Sequence, residues 1–415
     1  MASVTFSEPA LTPVQKKAFF AAWLGWGFDG LDSFIYPLVA VPFVKELMPV
    51  GTPTSQVAFK AAFIQAVFLL GWALGGVVFG RIGDKLGRSR TLMLTILIYA
   101  LFTGASFLAQ AWWHLLIFRF ISALGIGGEW AAGSALVSET LPRRYKHLSG
   151  AILQNAYITG MIGAALTVGA FAGRSPRYVF LIGMVPALIT LWIRKAVPEP
   201  EAWEDERKTR EMPKLSALFT PPVLSATLFT MGLTVIALTT IWAVLFFGSQ
   251  VVRAVPEVKL MTPTAQNLVV EHVTIVYCLW NLAGCFFAAW LAKRAGYRPA
   301  FAFIFALSFV IYFAGFHEPH SLFQTEAWLS AVFFFSSGVF ALFPPYIPPL
   351  FPVLLRTAGS GLCYNFGRVT AAVGTFFAGA LITGAGGPHM AIWYAGFLFI
   401  PGALLALRVP LHAPD

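Results

Sequence analysis

Five ionisable residues lie inside long apolar stretches of this 415-residue chain: Asp29, Asp32, Arg119, Glu129 and Arg368. In a hydrocarbon layer each costs about 2.5–3.5 kcal/mol on insertion scales, so each needs a partner or a purpose. Asp29 and Asp32 are spaced i,i+3 and share one face of a helix. Carboxylates held close together in a low-dielectric cavity should not both ionise. A proton-coupling site needs such groups, because they take a proton on one side of a membrane and release it on the other. Asp29, Asp32 and Glu129 are therefore expected to form that site, with Arg119 tuning it. The competing reading is an Asp32–Arg119 ion pair that serves stability alone. Arg368 stands apart in the second half of the chain. An unpaired guanidinium near a membrane midplane is a natural anchor for a substrate carboxylate. Asn365 lies nearly one turn before it. The competing reading pairs Arg368 with a carboxylate of the first helix.

The elements that must position these residues follow from composition. Hydrophobic residues make up 58% of the chain and charged residues 11%, against roughly 25% charged in a soluble domain. The chain reads as a membrane protein. A spanning helix needs about 20 mostly apolar residues. Such runs occur near 17–44, 57–80, 91–110, 112–140, 148–173 and 177–195, and again near 221–248, 268–292, 298–316, 326–350, 358–383 and 388–408. The first run is too long for a signal-peptide core and contains two aspartates, so it reads as a retained helix. Between the two sets lies a strongly charged stretch, 197–214. The expected fold is an all-α integral membrane protein of twelve transmembrane helices. Residues 1–196 form one six-helix bundle, 197–220 a cytoplasmic linker and 221–415 a second bundle.

With the N-terminus placed in the cytoplasm, most of the 28 lysines and arginines fall on the cytoplasmic side. Both termini are thus expected to be cytoplasmic. The same asymmetry accounts for the net charge of +10 without nucleic acid. For a rise of about 1.5 Å per residue, Asp29 and Arg368 fall within roughly 3 Å of the midplane, Glu129 roughly 5 Å inward and Arg119 roughly 10 Å outward. Arg119 is long enough to reach toward Asp32, and Asp29 and Glu129 lie at similar depth.

The loop after the second run reads Gly80-Arg81-Ile82-Gly83-Asp84-Lys85-Leu86-Gly87-Arg88-Ser89-Arg90. It resembles the signature of the major facilitator superfamily. Glycines permit tight turning and close helix approach. Asp84 is suited to accept hydrogen bonds from a neighbouring helix N-terminus or to pair with a basic side chain. Gly80, Asp84, Lys85, Gly87, Arg88 and Arg90 are therefore expected to form a conformational latch, joined by Glu139 and Arg143 at the end of the fourth run. A degenerate copy, Trp290-Leu291-Ala292-Lys293-Arg294-Ala295-Gly296-Tyr297-Arg298, occupies the matching place in the second half and puts Lys293 where Asp84 stands in the first. Further stretches are similar to the metabolite:proton symporter branches, in particular the sialate and lactate permease-like group. They are Phe118-Arg119-Phe120, Gly127-Gly128-Glu129-Trp130 and Gly359-Ser360-Gly361-Leu362-Cys363-Tyr364-Asn365-Phe366-Gly367-Arg368. One departure is Pro349 before Leu350-Phe351-Pro352, where members often carry an acidic residue.

The resemblance implies two related bundles and alternating access, with the first and fourth helices lining a central cavity. It implies no cofactor beyond protons as the coupling ion, a lipid bilayer around the chain, and a monomer. The expected function is proton-coupled symport of a small organic anion, such as lactate or a sugar acid, in a bacterial inner membrane. A neutral sugar symporter, a drug or cation:proton antiporter and, more remotely, a transporter-like sensor are the alternatives. Candidate substrate contacts beside Arg368 and Asn365 are Gln65, Gln154, Tyr157, Trp280 and Asn281, each of which also suits an ordinary interhelical hydrogen bond. No nucleotide-binding loop and no metal-ligand cluster of histidines is present, and Cys278, Cys285 and Cys363 read as small core residues. An enzyme is not expected.

Overall fold

The computed structural model describes residues 11–171, 174–382 and 387–410. The first half contains α1 (Pro13–Glu46), α2 (Thr54–Leu86), α3 (Arg88–Ala105), α4 (Trp112–Thr140), α5 (Lys146–Ala170) and α6 (Val185–Ala196). A short α7 (Glu201–Thr209) crosses to the second half. There follow α8 (Leu224–Ala254), α9 (Pro256–Lys259), α10 (Pro263–Ala295), α11 (Tyr297–Phe316), α12 (Leu322–Val332), α13 (Phe343–Tyr346), α14 (Arg356–Ile382), α15 (Pro388–Gly396) and α16 (Phe399–Ala406). Among the described residues, ten helical spans are long and apolar enough to cross a membrane. The two remaining apolar runs are helical as well over the described residues 177–195 and 358–382.

Three spans depart from the regular helices expected. The sixth is a 3₁₀ segment, Pro176–Met184, before α6. Pro186 lies in the first turn of α6, where its missing N–H costs nothing. The tenth passes from α12 through a π turn (Phe333–Ser337) and a 3₁₀ segment (Gly338–Leu342) into the single turn α13. The prolines that follow stop it, since each removes a backbone donor. The twelfth bends between α15 and α16, ahead of Pro401. The charged stretch 197–214 is also more structured than a free linker. Glu201 and Glu204 in the first turn of α7 and Arg207 and Lys208 in its last turn match the helix dipole.

The halves meet on the side that the basic loops mark as cytoplasmic. There α2 presents glycines to α14, and the helices approach closely. A Cβ on Gly80 would stand 2.9 Å from the carbonyl oxygen of Thr357, and one on Gly76 would collide with the amide of Asn365. The loop motif locks this seam. Asp84 accepts hydrogen bonds from the backbone N–H groups of Thr357 and Ala358 at 3.0 Å each, in the buried first turn of α14, where those groups have no partner within their own helix. Arg88 Nη1 stands 3.5 Å from Asp84 Oδ1, while Arg88 Nη2 and Nε donate to Glu139 at 2.8 and 2.9 Å. Arg356 of α14 donates to the same Glu139 at 3.0 Å.

The linker closes the ring from below. Glu199 accepts from the backbone N–H groups of Ser89 and Arg90, and Trp203 Nε1 donates to the Asp84 carbonyl at 2.8 Å. Gly87 holds φ +108° at the turn, in the left-handed region that disfavours a side chain. Gly296 repeats that turn at φ +87° in the second half. The expectation for Lys85 and Arg90 needs correction. Both side chains are exposed, and Arg90 takes part through its backbone alone. The Arg143 side chain lies outside the described residues.

Removing the Asp84 charge should loosen this seam without unfolding either bundle. In an Asp84→Asn, Ser360→Cys chain, the thiol at the buried position 360 should react with an aqueous maleimide at least several-fold faster than in Ser360→Cys alone. Equal rates would show that the carboxylate does not hold the seam.

Candidate functional site

Above the seam, a cavity between the halves is lined by Trp26, Phe34, Trp72, Gln154 and Tyr157 of the first half. Trp242, Asn281, Phe333, Phe340, Tyr364 and Arg368 are among the residues that line it from the second. Its wall is mostly apolar and rich in aromatic rings. Arg368 is the cation of this wall and is almost wholly buried. Its guanidinium lies 4.1 Å from the ring centre of Trp72 and 4.8 Å from that of Tyr364, held between two aromatic faces. Asn365 accepts from Arg368 Nη1 at 2.6 Å and itself donates to the Gly361 carbonyl at 2.8 Å. Arg368 Nε has no partner within the protein. No carboxylate among the described residues lies within ion-pair distance of this side chain. The pairing of Arg368 with a first-helix carboxylate is therefore not made in this conformation.

The two helix-1 aspartates have different surroundings. Asp32 is saturated. Arg119 Nη1 donates to its Oδ1 at 2.7 Å and Nη2 to its carbonyl at 3.1 Å. Thr103 donates to Oδ1 at 2.7 Å and Ser122 to Oδ2 at 2.8 Å. The Arg119 guanidinium also lies 4.4 Å from the ring centre of Phe68. Asp29, one turn earlier, has neither oxygen bonded by a hydroxyl, amide or guanidinium, and the same holds for Glu129 of α4. Both are fully buried. Instead they face each other within hydrogen-bonding reach. Two carboxyls bond in this way only if one holds a proton. Gly25, one turn before Asp29, makes room for them, since a Cβ there would strike Glu129 Oε1. Tyr99 of α3 faces the pair and Asp32 together.

Several expected substrate contacts fall elsewhere. Trp280 is 51% exposed on the outer face of α10, where it lines a surface groove with Phe334. Its place in an apolar run hid which face it occupies. Gln65 does not line the cavity, although its Oε1 is buried without a partner. Asn365 orients Arg368 from behind rather than lining the cavity. Gln154, Tyr157 and Asn281 do line it, and Gln154 Oε1 is unpartnered. The residues that sequence reasoning missed are the aromatic ones: Trp26, Trp72 and Tyr364. Helical spacing held a clue, since Trp26 precedes Asp29 by three residues and Tyr364 precedes Arg368 by four.

Two helical halves around a buried, charged cavity, sealed on one side, define a multi-pass membrane carrier. A model of the Major Facilitator Superfamily matches residues 18–347, and the chain belongs to that superfamily. It is a transporter and not an enzyme. Over 408 residues it is 27% identical to a sialic acid transporter of Escherichia coli (strain K12), covering 97% of this chain and 93% of that one. It is also 27% identical over 430 residues to a niacin transporter of Acinetobacter baylyi, covering 96% and 93%. Among solved structures, the proton:xylose symporter XylE bound to 6-bromo-6-deoxy-D-glucose shares the fold, with a TM-score of 0.79 at 16% identity over 97% of each chain.

Breaking a buried ion pair by removing one partner costs about 3–5 kcal/mol. Asp32→Asn, which strands Arg119, should therefore melt well below the parent chain in detergent. Asp29→Asn should melt close to the parent. Equal melting of all three would deny Asp32 its structural role.

Proposed function

We propose that the chain is a symporter that carries a small organic carboxylate together with a proton. The observation that carries this reading is Arg368, a buried guanidinium on the cavity wall with a free Nε–H and no carboxylate of its own. A substrate carboxylate would supply the missing anion in a charge-assisted hydrogen bond. The aromatic wall suits a flat or ring-bearing body more than lactate. The relatives named above carry sialic acid and niacin, both carboxylic acids with rings.

Coupling follows from charge. Asp32 and Arg119 neutralise each other. Asp29 and Glu129 sharing one proton carry one negative charge, and Arg368 carries one positive charge nearby. The empty site is thus neutral. A bound carboxylate adds one negative charge, and a second proton on the Asp29–Glu129 pair removes it. In a low-dielectric interior the uncompensated state is strongly disfavoured, so anion and proton load together. Asp32 and Arg119, first assigned to proton coupling, brace the helices in this reading. Residues 1–196 and 221–415 rock as two bundles about the linker 197–220, in the inner membrane of a bacterium, as a monomer. Protons serve as the coupling ion and no cofactor takes part.

Uptake of nicotinate, shikimate, N-acetylneuraminate and lactate into proteoliposomes tests the reading. At least one ring-bearing acid should accumulate under an inward pH gradient. A membrane potential alone should not drive it, because one anion with one proton is electroneutral. Uptake of none, or uptake indifferent to pH, removes the reading. For the acid taken up, Arg368→Lys should raise KM at least about tenfold, since a bidentate fork is not replaced by an ammonium. Glu129→Gln should abolish accumulation yet leave exchange of internal for external acid.

A further inference from the structure

The carboxyl pair and the substrate cavity are neighbours but do not share a surface. Arg368, Trp26, Trp72 and Tyr157 line the cavity, whereas Asp29 and Glu129 do not and are at most 1% exposed. The three rings stand together. Tyr157 lies 4.9 Å from Trp26 and 6.5 Å from Trp72, centre to centre. They come from α5, α1 and α2, so the layer is built across the first bundle. The indole N–H groups of both tryptophans are buried without partners in the protein. Hydrogen bonding thus holds neither ring in place, and packing alone does. The outer face of Trp72 carries the Arg368 guanidinium.

We propose that Trp26, Trp72 and Tyr157 form an aromatic shutter between the substrate cavity and the Asp29–Glu129 proton site, and that Arg368 holds it closed by stacking on Trp72. The shutter gives the charge balance a physical path, and in that sense it rests on the symport reading above. With the cavity empty, the guanidinium presses Trp72 against its neighbours, and water and protons do not reach the pair. A carboxylate drawn to the free Nε edge turns the guanidinium toward itself and loosens its stack on Trp72. The proton path then opens when the anion has arrived. Groups facing the pair from the surrounding helices are Asp32 on α1, Tyr99 on α3, Tyr157 on α5 and Arg368 on α14. The first is bound by Arg119 and the tyrosines are neutral. The pair is therefore the acceptor that a proton from the cavity meets after the rings. Trp72 and Trp26 are positioning residues in this scheme, since they touch neither the proton acceptor's bonds nor a transferred group.

The test needs no substrate. Purified chain would be treated with a water-soluble carbodiimide and glycine methyl ester at mildly acidic pH, and modification at Asp29 and Glu129 read by mass spectrometry. The parent chain should label slowly at both. Trp72→Ala and Trp26→Ala, each checked for a monodisperse gel-filtration peak, should label at least about tenfold faster at the pair. Leu74→Ala, on the outer face of α2, should not. Either tryptophan variant suffices if the other fails to fold, and Arg368→Gln provides a third route, since it frees Trp72 while leaving all three rings in place. Fast labelling of the parent chain, or slow labelling of the folded variants, overturns the shutter. Neither result bears on whether a pH gradient drives uptake, so failure of the shutter and failure of the symport reading are separable.

Discussion

A charge left uncompensated in the membrane interior is the state this fold avoids, and most of its interior can be understood from that constraint. Arg119 and Asp32 meet at 2.7 Å with Thr103 and Ser122 filling the remaining acceptor positions. That cluster ties α1, α3 and α4 and leaves both Asp32 oxygens bonded, although Arg119 Nε has no partner in the protein. A proton added to Asp32 would displace a bond already made there. Asp29, Glu129 and Arg368 lack such partners; Arg368 lines the cavity between the halves, and the two carboxyls are buried without lining it. Buried charge in the spans is thus divided into a part bonded within the bundle and a part without such bonds.

Close approach of helices is the second requirement, since a charge network spans two bundles only if their backbones nearly touch. Gly76 and Gly80 on α2 let α14 lie against it, and the same contact brings the first turn of α14 within reach of Asp84. Hydrogen bonds from backbone N–H groups to a carboxylate need no side-chain rearrangement to form or to break. Glu139 adds a partner shared by Arg88 on the first half and Arg356 on the second. The seam is therefore held by a few directional contacts beside closely approaching glycines.

Much of this was legible in the sequence. The apolar runs placed the spans, and the loop motif identified Asp84 as a residue poised for a neighbouring helix end. The i,i+3 spacing of Asp29 and Asp32 correctly put both on one face, but spacing on one helix does not reveal what stands on the next. That is why the division of roles between the two aspartates was hidden. Rotation about the helix axis was hidden too. Trp280 and Asn281 are adjacent in sequence, yet one faces lipid and the other the cavity. Every face of these helices is apolar, so hydrophobic periodicity, which orients helices in water, carries little information here. The irregular tenth and sixth spans escaped for a related reason. Prolines announced an end to regular structure without saying whether a π turn or a 3₁₀ segment would replace it.

The degenerate repeat shows how two related halves come to behave differently. Gly296 keeps the turn of Gly87, with the same sign of φ and nearly the same ψ. The backbone geometry of the motif thus survives in the second half. Its chemistry does not, because Lys293 stands where Asp84 would, and an ammonium cannot accept a hydrogen bond. The counterpart of the α2–α14 seam joins α10 and α13 to α5, where Gly150 rests directly on the Ala341 carbonyl and Pro345. That contact is van der Waals packing without a capping carboxylate. The first seam thus carries a carboxylate cap on a neighbouring helix end, whereas the described Gly150 contact is packing. The polar contacts of the first seam converge on Asp84, Arg88 and Glu139.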